Sequence, residues 1–185
     1  PLAGPLSASG ALELGDDGLH KQPWFTDSFL ELGDDLQTAA DGGRHLMVIW
    51  EQRGCPYCRE LHEVNFRRSE IADYISRHFD VIQLDMFGAR EVLDFDGAAL
   101  EERALAEKWA VNFTPTTQLF HADNAGAETL KAAESFRAPG YLKPFHYLSS
   151  LEYVVTQDYK KQPFQRFLQD KFDRLRAQGI DPDVW

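Results

Sequence analysis

The sequence predicts an α/β fold: a central mixed sheet flanked by helices, with an N-terminal extension and an extra C-terminal helix. Three observations carry this expectation. Segments of helical and of strand character alternate from residue 29 to residue 111. Two short apolar runs, "HLMVIW" and "VIQLDMF", have the length and continuity of buried strands. Beyond them come a strand pair and two closing helices, an order that places helices on both faces of a mixed sheet.

Taken in order, the first 23 residues mix Pro, Gly and Ser with little periodicity and read as an arm or poorly ordered extension. Phe29, Leu32 and Leu36 recur at helical spacing, and Gly42-Gly43 ends that helix. "HLMVIW" follows as a strand bounded by Arg44 and Glu51. "PYCRELHEVNF" and "SEIADYISRHF" read as helices, the second with Ser69 as its N-cap. "VIQLDMF" is the next strand, "GAREVLDFDG" a loop or small hairpin, and "AALEERALAEKWAV" a helix by propensity. "TPTTQLFHADNAGAETLKAAESF" reads as two strands joined by a turn at Asp123–Gly126. Two helices close the chain. In the last, Phe164, Phe167, Leu168, Phe172 and Leu175 form one apolar stripe, read as core packing. The expected organisation is an extension over 1–26, a main domain over 27–160, and a C-terminal helix over 161–185 packed on that domain.

A chain of 185 residues with 43% hydrophobic content can bury a full core. Its 30 acidic and 19 basic side chains leave a net charge of −11, which argues against nucleic acid or an anionic membrane surface as a partner. No stretch approaches the roughly 18 apolar residues of a membrane span, so the chain is not expected to cross one. It begins at Pro1 without a basic-then-apolar leader, and we expect that a targeting peptide was removed or the chain trimmed.

The only two cysteines, Cys55 and Cys58, stand in "WEQRGCPYC" directly after the first strand. A structural zinc site needs about four Cys or His ligands; His62 could supply a third, but His20, His45, His78, His121 and His146 show no ligand spacing, so no metal is expected. Haem attachment fails because Arg59 follows Cys58 where His is required. The redox reading gains from placement. Pro56 suits the first helical position, which makes Cys55 the N-cap and sets Cys58 inside the first turn. Free backbone N–H groups and the positive helix end favour a thiolate at Cys55, the attacking form of a cysteine. Arg53 adds to this if its side chain turns toward the sulfur. Cys58 is expected to be shielded and to react second.

"FTPT", residues 113–116, adds a second signal. Pro115 at the start of a strand beside the first one removes a ladder donor. An isolated Thr-Pro is usually a trans bond in a loop. Joined to the cysteine motif, a cis bond between Thr114 and Pro115 is expected, leaving main-chain groups free for a substrate strand.

At this point the chain resembles thioredoxin-fold proteins. "MVIWEQRGCPYCRELH" matches the strand–CxxC–helix unit, and "LAEKWAVNFTPTTQLF" the helix, cis-proline loop and strand that follow. Over residues 29–160 it resembles most the SoxW-type thioredoxins, periplasmic proteins encoded with bacterial sulfur-oxidation systems. "EQRGCPYC", the insert around "REVLDFDG" and "YLKPFHYLSSLEYV" carry that likeness. Pro-Tyr between the cysteines matches glutaredoxins, but the Gly-Gly glutathione segment after the cis-proline is missing. The gap from Cys58 to Pro115 is too short for the helical insertion of DsbA-type oxidases.

There are two departures from the family pattern. Thioredoxins carry a buried Asp six residues before the first cysteine and a lysine partner on the next strand; here those positions are Ile49 and Val81. Glu51, on the same strand face as Ile49, is either the substitute for proton transfer or a surface glutamate paired with an arginine. The resemblance implies a thiol–disulfide oxidoreductase that needs no cofactor. Cys55 attacks, Cys58 resolves, and Pro56, Tyr57, Thr114 and Pro115 border the substrate. It implies protein thiol or disulfide substrates (a SoxYZ-like sulfur carrier among them), re-reduction by a membrane thiol-electron transporter of CcdA/SoxV type, and a periplasmic location. A periplasmic disulfide oxidase or isomerase is the nearest alternative, and a non-catalytic thioredoxin-fold binding module the more distant one.

Overall fold

A computed structural model describes residues 12–182. Its centre is a four-stranded sheet. The strands preceding it, β1 (Glu13–Leu14) and β2 (His20–Lys21), form a separate antiparallel pair. Then come α1 (Leu32–Asp41), β3 (His45–Glu51), α2 (Pro56–Glu60), α3 (Ser69–His78) and β4 (Phe79–Asp85). A small hairpin, β5 (Glu91–Leu93) and β6 (Ala99–Glu101), leads into α4 (Glu102–Lys108). The chain finishes with β7 (Thr116–Phe120), α5 (Leu130–Ala133), β8 (Phe136–Pro139), α6 (Pro144–Val155) and α7 (Phe164–Ala177).

The central order is β4-β3-β7-β8, with β3 parallel to β4 and antiparallel to β7, and β7 antiparallel to β8. The sheet is therefore mixed, as expected. Every residue of β3 is buried, which is why the strand reads as a continuous apolar run instead of an alternating one. The pleat still sorts its side chains. Leu46, Val48 and Trp50 face the core built with α1, α4 and the hairpin, whereas Met47 and Ile49 face the core built with α3 and α6. Each fully buried Leu, Ile or Val side chain contributes on the order of 1.5–3 kcal/mol, so both faces are strongly held.

Several expectations need correction. From residue 12 the expected loose arm is packed: Leu19 is 1% exposed, and Trp24 and Phe25 lie on the α3–α6 face. Thr26 fastens it further, its N–H donating to Val81 O at 2.8 Å and its hydroxyl accepting from Val81 N at 3.0 Å. Scattered apolar residues with no period do this anchoring, so patterning could not show it. Residues 1–11 of that arm lie outside the described residues.

Phe29 is not on a helical face. It precedes α1 and is 94% exposed. Ser69 is the first residue of α3 rather than its cap, because Arg68 holds the N-cap position without a side-chain hydrogen bond. Residues 99–101, expected as helix, pair with 91–93 as a strand; tertiary pairing overrides the helix propensity of Ala, Leu and Glu there. The partner of β7 is not the segment after Asp123–Gly126. A short helix, α5, intervenes, with the Thr129 hydroxyl accepting from Ala132 N at 3.2 Å, and β8 follows it. The helix after the cysteines changes character too. Beyond Glu60 it widens into a π-helical turn over Leu61–Asn65.

Candidate active site

β3 delivers the chain to the site, and Gly54, at φ +71°, makes the turn into α2. Cys55 is the N-cap of α2 with extended backbone angles, and Pro56 occupies the first helical position. The two cysteines are joined as a disulfide with Cα atoms 5.2 Å apart. Cys55 Sγ accepts a hydrogen bond from Cys58 N at 3.1 Å, so one orphan N–H of the helix start is already directed at this sulfur. The pair is asymmetric: Cys55 is 9% exposed and Cys58 1%.

The Thr114–Pro115 bond is cis, as the motif predicts. It brings the Thr114 carbonyl oxygen to 3.5 Å from Cys55 Sγ, and the Thr114 hydroxyl donates to the same sulfur at 3.4 Å. Gln52 Nε2 fixes that hydroxyl from the other side at 2.6 Å. Tyr57 is 60% exposed and stacks on Tyr141, with ring centroids 6.2 Å apart, while Phe113, next to Thr114, is 63% exposed. The less buried of the two sulfurs is thus bordered by Thr114, and Tyr57 and Phe113, neighbours in the segments of these two residues, are exposed.

Arg53 does not turn toward the sulfur. Its Nε and Nη2 donate to Asp17 O at 3.3 and 3.1 Å, which ties it to the turn between β1 and β2. Arg53, Gly54, His20 and Leu14 border a cleft of about 470 Å³ there. A larger cleft, about 740 Å³, opens between α6 and α7 near Phe145 and Phe172, and none of the predicted site residues borders it. Size alone does not mark the chemistry here.

Ile49 and Val81 are both fully buried, and the apolar floor expected from the sequence is present. Glu51 is not a surface residue. It is 1% exposed, bonded through Oε1 to His62 Nε2 at 2.8 Å and through Oε2 to Gln83 Nε2. Sequence reasoning considered His62 only as a metal ligand, and among the described residues no group of three metal-type side chains converges anywhere. The signal for its actual partner lay in the pattern: His62 sits one helical turn beyond Cys58, on the helix that covers the Glu51 face of β3. Gln22 and Gln83, which complete this cluster, had no sequence signal. Burial holds the nearby His20 imidazole below its ordinary range, and the facing His62 adds to that.

A cysteine N-cap joined to a shielded partner and faced by a cis-proline can exchange its disulfide with another. The thioredoxin-like domain family matches residues 32–155. The chain belongs to this thioredoxin-like family. A thioredoxin-fold protein from Helicobacter pylori is 21% identical, with a TM-score of 0.54, over 70% of this chain and 80% of that one. A thioredoxin from Thermus thermophilus is 20% identical, with a TM-score of 0.51, over 69% and 85%. No curated protein matches. This thioredoxin-like protein is a thiol–disulfide oxidoreductase, and it carries a Cys55–Cys58 disulfide. Among the described residues no helix is long and apolar enough to cross a membrane.

Proposed function

We propose that the protein reduces protein disulfides in the periplasm as a SoxW-type thioredoxin of a sulfur-oxidation system. One observation carries the direction of attack: Cys55 is the N-cap sulfur bordered by Thr114, and Cys58 is shielded behind it. In the reduced protein, the Cys55 thiolate attacks a substrate disulfide and forms a mixed disulfide. Cys58 then attacks Cys55 Sγ, releasing the reduced substrate and restoring the Cys55–Cys58 bond. The exposed rings of Tyr57 and Phe113, with the backbone at Thr114 and Pro115, receive the substrate chain. The substrate class is a protein thiol or disulfide, with a SoxYZ-like sulfur carrier as the specific case. A membrane thiol-electron transporter of CcdA/SoxV type returns the electrons. The sulfur-oxidation context and the location rest on the sequence resemblance around "EQRGCPYC" and "YLKPFHYLSSLEYV".

The helix start stabilises the Cys55 thiolate and makes the protein more oxidising, while the apolar floor of Ile49 and Val81 works the other way nearer Cys58. The first acts directly on the attacking sulfur. A potential of roughly −190 to −250 mV is expected, between the thioredoxin and DsbA extremes. Equilibration with a glutathione buffer measures it, and a value near −120 mV would replace the reductase reading with the oxidase one. Covalent capture by a Cys58→Ser variant identifies the substrate.

A further inference from the structure

The family match spans residues 32–155, and the hairpin of β1 and β2 precedes it, yet the two meet beside the cysteine turn. The hairpin is a fixed wall. Leu19 is 1% exposed, Lys21 Nζ donates to Gln83 Oε1 on β4 at 2.7 Å, and Gln83 Nε2 donates to His20 O at 2.8 Å. Asp17 closes the turn: its Oδ1 accepts from Leu19 N at 3.0 Å and its Oδ2 pairs with Lys21 at 2.6 Å. A wall bonded in this way receives a ligand with little reordering.

The cleft of about 470 Å³ is bordered by Leu14 and Asp16 of the hairpin and by Arg53 and Gly54 of the cysteine turn. Gly54 is bonded to Cys55, so the cleft begins about 3.8 Å in Cα distance from that residue. An extended chain advances about 3.3–3.6 Å per residue, so a substrate residue within about three positions of the attacked cysteine reaches it. A water molecule takes about 30 Å³, and the cleft therefore has room for a side chain.

Arg53 decides the chemistry of that side chain. Its Nε and Nη2 both donate to Asp17 O, and among the described residues it pairs with no carboxylate and its Nη1 has no partner. Gly18 permits this approach, since a Cβ there would lie 2.7 Å from Arg53 Nε. A guanidinium held in place with donors to spare is matched to a carboxylate. Asp16 is the opposing charge on the cleft; it is exposed and no hydrogen bond holds its carboxylate, so a cation would have to order it first. Burial keeps the His20 ring below its ordinary range, which leaves Arg53 as the full positive charge there. The net charge of −11 does not outweigh it, because exposed charges beyond about 8 Å are largely screened at physiological salt.

We propose that this cleft is a specificity subsite for an Asp or Glu side chain within about three residues of the substrate's disulfide, selected by Arg53. The inference rests on the reading that Cys55 attacks a protein disulfide, and it narrows the substrates to those with acidic residues beside the reacting cysteine. The carboxylate meets the free donors of Arg53, and Leu14, 59% exposed, offers an apolar border for its stem. The exchange step itself is unaltered. The subsite acts on which disulfide is presented to Cys55, and the N-terminal hairpin thereby joins substrate choice.

The test uses the full reduced chain and synthetic disulfide peptides that differ only around one cysteine, where the neighbouring positions carry Glu or Gln. The ratio of kcat/KM for the Glu peptide to that for the Gln peptide is measured for the unmodified protein and divided by the same ratio for Arg53→Gln. That quotient cancels the intrinsic reactivity of each peptide and any effect of the Arg53 charge on the Cys55 thiolate. It is expected to be about five-fold at low salt, the scale of a partly exposed ion pair, and to fall toward one at about 1 M NaCl. Arg53→Lys should keep part of the preference, and Asp16→Asn should raise it. A quotient of one, or one that salt does not lower, overturns the proposal. Should Arg53→Gln not fold, an Asp16→Asn protein whose preference for the Glu peptide does not rise overturns it alone. An unmodified protein that reduces neither peptide overturns the functional reading and this inference with it; one that reduces both with a quotient of one overturns the inference only.

Discussion

The hydroxyl of Thr114 donates to the sulfur of Cys55 at 3.4 Å, although 59 residues separate them in the chain. The cis bond to Pro115 and the amide of Gln52 hold Thr114 in that place. The same contact leaves Cys55 as the sulfur nearest an incoming chain, with Cys58 behind it. Alkylation of the reduced protein near pH 7 should therefore modify Cys55 first. Cys58→Ser should accumulate mixed disulfides and Cys55→Ser should not. Equal alkylation rates, read by peptide mass spectrometry, would reverse the assignment.

His45 and His121 pack together, tilted, at the opposite end of β3 from the cysteines, with ring centroids 4.3 Å apart. His45 Nδ1 accepts from Ala122 N at 3.0 Å, and burial lowers its pKa from 6.5 to about 4, with the His121 and His78 charges pushing the same way and Asp123 opposing. The folded protein therefore keeps this ring neutral where the unfolded chain would protonate it. The associated stability is complete above about pH 6.5 and is lost as pH falls toward 4, by at most about 3 kcal/mol. Urea unfolding at pH 7 and pH 4.5 should show the loss, and a His45→Gln variant should show less of it.

Two glycines make opposite predictions. A Cβ on Gly88 would lie 1.9 Å from Glu102 Oε2. That carboxylate is 1% exposed and accepts from Asp85 N at 3.0 Å, from Arg90 N at 3.2 Å and from the Arg90 side chain. Gly88→Ala should cost about 2–3 kcal/mol by displacing a buried, bonded carboxylate. Gly33, in the first turn of α1, has open space around it, so Gly33→Ala should stabilise by roughly 0.5–1 kcal/mol. Thermal melts of the two variants should move in opposite directions.

Lys171 on α7 is 8% exposed, donates to Ser149 Oγ at 2.9 Å, pairs with Glu152 at 2.7 Å and lies over the Phe145 ring. It pins the last helix to α6. Because Glu152 is partly open to water, Lys171→Ala should cost about 1–3 kcal/mol rather than the larger penalty of a sealed charge. Cys55 alkylation, on another part of the molecule, should not change. An altered alkylation rate would show that α7 influences the redox site.

What the sequence by itself determined is local in its physics. A proline after Cys55 set the helix start, an apolar run set β3, and the Cys-x-x-Cys and Thr-Pro pairing implied the cis bond and the family. Each depends on near neighbours or on a motif with fixed spacing. Tertiary structure alone decided the rest. Glu51 reads equally as a surface or a core residue until α3, α6 and the N-terminal segment close over its face of β3. His62 and Gln22 meet only because a helix and a segment some 40 positions apart converge. Residues 99–101 became a strand, and Arg53 turned from the sulfur to Asp17, for the same reason. Buried hydrogen-bonding groups take whichever partners the assembled fold brings within reach, and no period in the chain records that choice.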